Sequence, residues 1–185
     1  MGAIIVLVVV VGAIVLLAGL YNRLVSLRNQ VRNAWRQIDV QLKRRHDLIP
    51  NLVEVVKDYM SYEQETLRQV IDARGKAVMT EGKGPAAAMA AEQGLTGALG
   101  RLFAVMENYP DLKANQNVSN LMEELSSTEN KIAFSRQFYN DSVMSLNNAV
   151  ETFPSNFIAN TFGFKPEDYF EIDESARAVP KADLR

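Results

Sequence analysis

Residues 24–77 read LVSLRNQVRNAWRQIDVQLKRRHDLIPNLVEVVKDYMSYEQETLRQVIDARGKA, and the spacing of their apolar side chains decides the fold. Leu24, Val31, Ile38, Arg45, Leu52, Tyr59, Thr66 and Ala73 recur every seven residues. Trp35, Leu42, Ile49, Val56, Glu63, Val70 and Ala77 form a second series, offset by four. Two such series give a helix that presents one apolar stripe to partner helices. No glycine occurs between Tyr21 and Arg74, so the spacing predicts one long amphipathic helix. Pro50 is the irregularity, because it lacks a backbone donor and crowds the preceding turn. Either Asp47 caps a new helix with Pro50 in its first turn, or the helix continues with a kink. The unbroken register favours the kink.

Upstream lies an uncharged, almost wholly apolar segment, residues 3–20. At 1.5 Å per residue it spans roughly 27 Å, close to the ~30 Å hydrocarbon core of a bilayer. Met1-Gly2 supplies no basic leader, which favours a retained anchor over a signal cleaved near Ala18-Gly19. Val6 stands where a myristoylation motif needs Ser or Thr. Tyr21, Arg23 and Arg28 flank the segment on its C-terminal side, with Arg32, Arg36, Lys43, Arg44 and Arg45 beyond and Asp39 the one acid among them. This asymmetry predicts a single-pass protein of the bacterial inner membrane, N-terminus outside and the remainder cytoplasmic. The arginines near the lipid bilayer are expected to meet its anionic headgroups, whereas Arg44 and Arg45, roughly 37 Å along an upright helix, stand too far away to reach them.

The whole chain carries a net charge of -2, so it has no electrostatic bias towards nucleic acid. It contains no cysteine and one histidine, which excludes disulfides, thiol catalysis and Cys- or His-rich metal sites. Ser126, Ser127 and Thr128 have no histidine nearby in sequence, and His46 sits beside Asp47 on the long helix. Gly94, Gly97 and Gly100 lack the lysine ending and preceding strand of a phosphate-binding loop. We therefore expect no catalytic residues, no metal and no cofactor.

A second helix is predicted from Pro85 to about Glu107, because Gly84-Pro85 separates it from the first and alanines dominate its start. A third carries a second sevenfold series, Val118, Leu125, Ile132, Tyr139, Leu146 and Phe153, and ends at Pro154. Between them fall Met122, Glu129, Arg136, Val143 and Val150. Charged residues thus interrupt both apolar series. Buried charges need partners, and such layers can set the register between helices. This predicts a buried polar layer joining Arg45, with Asn51 and Glu54, to Glu129 and Arg136. A short helix should follow and end near Gly163. In the tail, Phe164, Tyr169, Phe170 and Ile172 alternate with acids Glu167, Asp168, Glu171, Asp173 and Glu174, so its apolar side chains should dock on the bundle or a neighbouring subunit.

The strings Tyr21-Asn22, Leu24-Val25, Arg28-Asn29, Trp35, IDVQLKRRHDLIPNLVE (38–54), YPDLKAN (109–115), ELSSTENKIA (124–133), Tyr139-Asn140, Phe153-Pro154 and Gly163-Phe164 together resemble the LemA family of bacterial membrane-anchored proteins. The resemblance runs along nearly the whole chain. It implies a transmembrane helix and a helical-bundle domain, similarity to a component of magnetosome membrane formation, and no enzymatic activity or catalytic residues. The expected architecture is all-α. A membrane anchor (1–21) and helical stalk (22–46) lead into an up-down bundle of three to four helices (47–164) and an extended acidic tail (165–185). The stripe Leu24, Val31, Trp35, Ile38 and Leu42 has no evident partner within the chain. It is therefore expected to carry self-association into a homo-oligomer, making the protein a membrane-anchored scaffold. The competing expectation is a membrane-tethered signalling module that binds another protein.

Overall fold

The computed structural model of the chain describes residues 1–170, which form six helices and no strand. The apolar segment and most of the first sevenfold series merge into one helix, α1 (Gly2–Val56), about 80 Å long at 1.5 Å per residue. Pro50 lies inside it, so the helix continues through the proline. Residues 1–19 are exposed along all their faces. From Leu24 onward one stripe is buried: Leu24, Val31, Ala34, Ile38, Leu42, Arg45, His46, Ile49, Leu52 and Val56.

The long helix stops twenty-one residues short of the predicted Ala77, which corrects the reading of a single helix over 24–77. After Val56 the chain turns, and α2 (Gln64–Val78) begins. The seam positions Tyr59, Glu63 and Thr66 could not continue an apolar stripe. Met60, fully buried, instead folds back against the core with Leu67 and Val70. Gly82 and Gly84, at φ 72° and 90°, turn the chain into α3 (Pro85–Met106), with Pro85 in its first turn as expected. A short helix, α4 (Pro110–Ala114), leads to Asn115, whose side chain caps α5 (Gln116–Glu151) by accepting from the Asn117 and Val118 amides at 2.9 and 3.4 Å.

Helix α5 runs antiparallel to α1: Arg45 meets Glu129, Trp35 meets Tyr139, and Tyr21 meets Phe164 beyond the end of α5. Val118, Leu125, Ile132, Tyr139 and Leu146 are buried as the second series predicts, but Phe153 is 86% exposed beyond the helix end. After a cis Phe153–Pro154 peptide, α6 (Ser155–Phe162) packs on α1 and α5. Gly163, at φ 71°, ends it, and the Phe164 amide donates to the Ala159 carbonyl, as a left-handed helix cap requires.

Two amides on α5, seven residues apart, then hold the following segment. Asn147 donates to the Glu167 carbonyl and accepts from its amide, both at 2.9 Å. Asn140 does the same for Phe170, at 3.3 and 2.9 Å, and the Tyr139 hydroxyl donates to the Asp168 carbonyl. Phe164 and Phe170 are buried, whereas Tyr169 is exposed. The expected docking of Ile172, and the acids Glu171, Asp173 and Glu174 expected to alternate with the apolar tail residues, lie outside the described residues.

This arrangement corrects the expectation of an uncovered stripe. Leu24, Val31, Ile38 and Leu42 are buried and Trp35 is half-buried, in a core shared with α5, α6, Phe164 and Phe170. The reason is length. The 36 residues of α5 match the 37 of α1 from Leu20 to Val56, so the stretch read as a stalk is covered by α5 along its whole extent. A second core gathers Ile49, Leu52, Val56 and Met60 with α2, α3, α4 and the start of α5.

Candidate functional site

Between the two cores lies a layer of charge. Arg45, 1% exposed, sends one guanidinium nitrogen to Glu92 of α3. The other donates to Glu129 of α5 at 2.7 Å and to the Thr96 hydroxyl at 3.0 Å. Its neighbour His46, equally buried, places Nε2 2.8 Å from the second Glu92 oxygen and Nδ1 2.8 Å from Glu81, which follows α2. Glu92 thus bridges Arg45 and His46, and three helices and a connecting turn converge on one point.

An imidazole with a carboxylate at each nitrogen is satisfied only when both nitrogens carry protons. Burial pulls the His46 pKa down, but the hydrogen bonds to Glu92 and then Glu81 outweigh it and hold the pKa above its ordinary 6.5. Burial pushes Glu92 up, and His46 together with the Arg45 charge reverses this, leaving its carboxyl below the ordinary 4.5. The opposite shifts describe one ion network, with each charge stabilising the next.

A further donor enters from α2. Pro50 has no N–H, so the carbonyl four residues earlier, that of His46, loses its helical partner. Arg74 Nε donates to that carbonyl at 2.7 Å. The proline is thereby accommodated inside the helix, and α2 is fastened to α1 beside the ionic layer.

Of the predicted polar layer, Arg45 and Glu129 meet as expected. Arg136 is half-buried nearby and stacks over the Phe170 ring at 5.0 Å; burial lowers its pKa, and the Glu129 charge opposes this. Asn51 and Glu54 do not join the layer: both are exposed, and Glu54 pairs with Lys57 on the surface. At about 100° per residue, Glu54 falls on the side of α1 opposite Arg45. His46, Glu92, Glu81, Thr96 and Arg74 were not predicted members. Glu92 carried a signal, being the sole acid in the stretch that forms α3. Of the membrane-flanking residues, Arg23 is exposed, Tyr21 stacks edge-on against Phe162 and Phe164, and Arg28 lies over the Phe164 ring at 4.8 Å.

A cleft of about 400 Å³ opens beside the layer between α3 and α5, lined by Arg45, Leu99, Phe103, Met122, Leu125 and Glu129. The Thr96 hydroxyl accepts from Arg45, and both His46 nitrogens face carboxylates, so these groups are turned towards one another. Among the described residues, no three His, Cys, Asp or Glu side chains are grouped to hold a metal ion. The chemistry built into the layer is charge compensation among Arg45, His46, Glu92 and Glu129.

The sequence pattern that defines the LemA family matches residues 34–184. The chain belongs to the LemA family. It is 28% identical to Protein LemA of Metamycoplasma hominis, over 90% of this chain and 76% of that one. It is 27% identical to Magnetosome protein MamQ 2 of Paramagnetospirillum magneticum, over 82% of this chain and 64% of the relative. The match to Magnetosome protein MamQ of Magnetospirillum gryphiswaldense is also 27%, over 81% and 64%. The chain therefore spans less than two thirds of the length of these MamQ relatives. The names of these relatives state no reaction. In this chain the start of α1 is long and apolar enough to cross a membrane.

Proposed function

We propose that this LemA-family chain is a non-enzymatic, membrane-anchored scaffold or assembly protein that associates with itself in the plane of a bacterial inner membrane. The observation that carries this reading is the unbroken α1. One helix serves as the apolar anchor, one wall of both cores and the carrier of Arg45 and His46, so a load on the bundle passes directly to the bilayer. The basic flank Arg23, Arg28, Arg32 and Arg36 supports a cytoplasmic bundle, an outside N-terminus and contact with anionic headgroups. The magnetosome proteins among its relatives support a role at a membrane.

With the Leu24–Leu42 stripe covered, self-association needs another face. Val40 and Phe134 line one surface groove and are exposed there, with exposed Phe138 one turn further along α5. The chain has no cysteine, so a Phe134→Cys variant in membranes offers a single capture point. A bifunctional thiol crosslinker should give dimers; only monomer would remove this face from the reading. Arg36 and Lys131 rim the same groove, which favours as second reading a module that binds an acidic protein surface. Recovery of one heterologous partner at stoichiometric yield, without homodimers, would select it.

A further inference from the structure

The membrane-facing end of the bundle carries a feature that neither core explains. Residues 152–164 contain no charged side chain, yet Phe153, Phe157 and Phe162 are 86%, 76% and 59% exposed. Three large aromatic side chains left exposed within one uncharged segment signal a surface that meets something apolar. Their position says what. Phe162 packs edge-on against Tyr21, with ring centroids 4.9 Å apart. Phe162 and Ile158 also line a groove of about 430 Å³ with Ile14, Leu17 and Tyr21 of α1. Leu17 precedes the end of the apolar segment by three residues, about 5 Å along the helix. Helix α6 therefore reaches the depth of the last turn of the anchor.

We propose that α6 is an in-plane interfacial helix: Phe153, Phe157 and Phe162 enter the headgroup–acyl boundary of the same bilayer that α1 crosses, and the groove beside Leu17 receives acyl chain. The inference rests on reading residues 3–20 as membrane-spanning. The bundle then sits against the membrane on two points, a crossing helix and a lying one. Exposed Arg23, just beyond the apolar segment, lies at the level of the lipid phosphates. Aromatic side chains at such a boundary place their rings where water gives way to hydrocarbon.

The absence of cysteine makes depth measurement direct. Full-length Val8→Cys, Phe157→Cys and Tyr62→Cys variants, each labelled with an environment-sensitive fluorophore, are reconstituted into phosphatidylcholine–phosphatidylglycerol vesicles. Quenching is read with lipids spin-labelled near the headgroup or deep in the chain. Position 8 reports the anchor, 157 reports α6, and 62 is an exposed site beyond the far end of α1. The probe at 157 should be quenched by the shallow label about threefold more than the probe at 62, with a blue-shifted emission. Position 8 should respond to the deep label. If 8 is quenched while 157 behaves like 62, α6 is not interfacial and the anchor stands. If 8 is unquenched, the anchor fails and the proposal falls with it.

Discussion

The membrane-proximal core, from Leu24 to Leu42 on α1, is a two-helix interface sealed by α6 and by Phe164 and Phe170. The distal core, from Ile49 to Met60, is wrapped by α2, α3, α4 and the start of α5. Two long helices alone leave each other's flanks open, so the proximal half needs a returning segment pinned by Asn140 and Asn147. The distal half closes itself with a helical hairpin. Arg45, His46 and Glu92 lie where one solution gives way to the other. The same helix pair thus supports two kinds of core, with the ionic layer as their common boundary.

Breaking that boundary should have the largest effect. Arg45→Ala leaves Glu92 buried with only His46 for compensation, and we expect a loss of about 3–5 kcal/mol. Trp35, the sole tryptophan, reports the proximal core, and far-UV circular dichroism reports both. In urea the two signals should move together for the parent chain and separate for the variant; coincident transitions would show that the layer does not couple the cores.

Next come paired cavities. Ile38→Ala in the proximal core and Leu95→Ala in the distal one each remove a fully buried side chain, at about 2–4 kcal/mol. Hydrogen exchange should separate them. Ile38→Ala should accelerate exchange at 164–170, whereas Leu95→Ala should leave that segment protected. Equal acceleration by both would erase the distinction between the cores.

A smaller effect sharpens the boundary from the distal side. Arg74→Ala strips the His46 carbonyl of its donor and should cost about 1–2 kcal/mol by chemical denaturation. In a Pro50→Ala background the helix regains its own N–H, so the same substitution should cost clearly less. An unchanged cost would mean that Arg74 acts through something other than the carbonyl.

The smallest effect is pH-dependent. His46 is raised above 6.5, so its contribution is complete below pH 6.5 and fades as pH rises through the folded-state value. Glu92 is lowered below 4.5, so its contribution is present above pH 4.5 and fades as pH falls through its folded-state value. The layer should therefore be strongest between pH 4.5 and 6.5. The melting temperature should decline on the alkaline side, and His46→Gln should flatten that decline while retaining the acid limb. A parent chain with no alkaline decline would contradict a charged His46.

Much of this was legible. The sevenfold series placed the buried faces of α1 and α5, Gly84-Pro85 and Gly163 marked helix ends, and Arg45 with Glu129 stood out as charges on apolar stripes. The turn after Val56 was missed because no glycine or proline marks it; its trace is the run of polar seam positions at Tyr59, Glu63 and Thr66. Glu92 stands outside both sevenfold series, because it lies on α3, which carries neither. The covered stripe was missed for want of a ruler: α5 is as long as the part of α1 it faces, and that comparison needs only a count of residues. The pinning of 164–170 by Asn140 and Asn147 had no local pattern, since side-chain amides holding a distant backbone leave no spacing of their own.

The proline in α1 has one more consequence. Along an uninterrupted helix every turn offers the same backbone, so a neighbour can shift by one turn and find an equivalent surface. Pro50 makes one carbonyl unlike the rest, and Arg74 reads it. That single difference works as an index mark on a rod, telling the α2–α3 hairpin where along α1 to stop, and so at what height above the membrane the distal half is assembled.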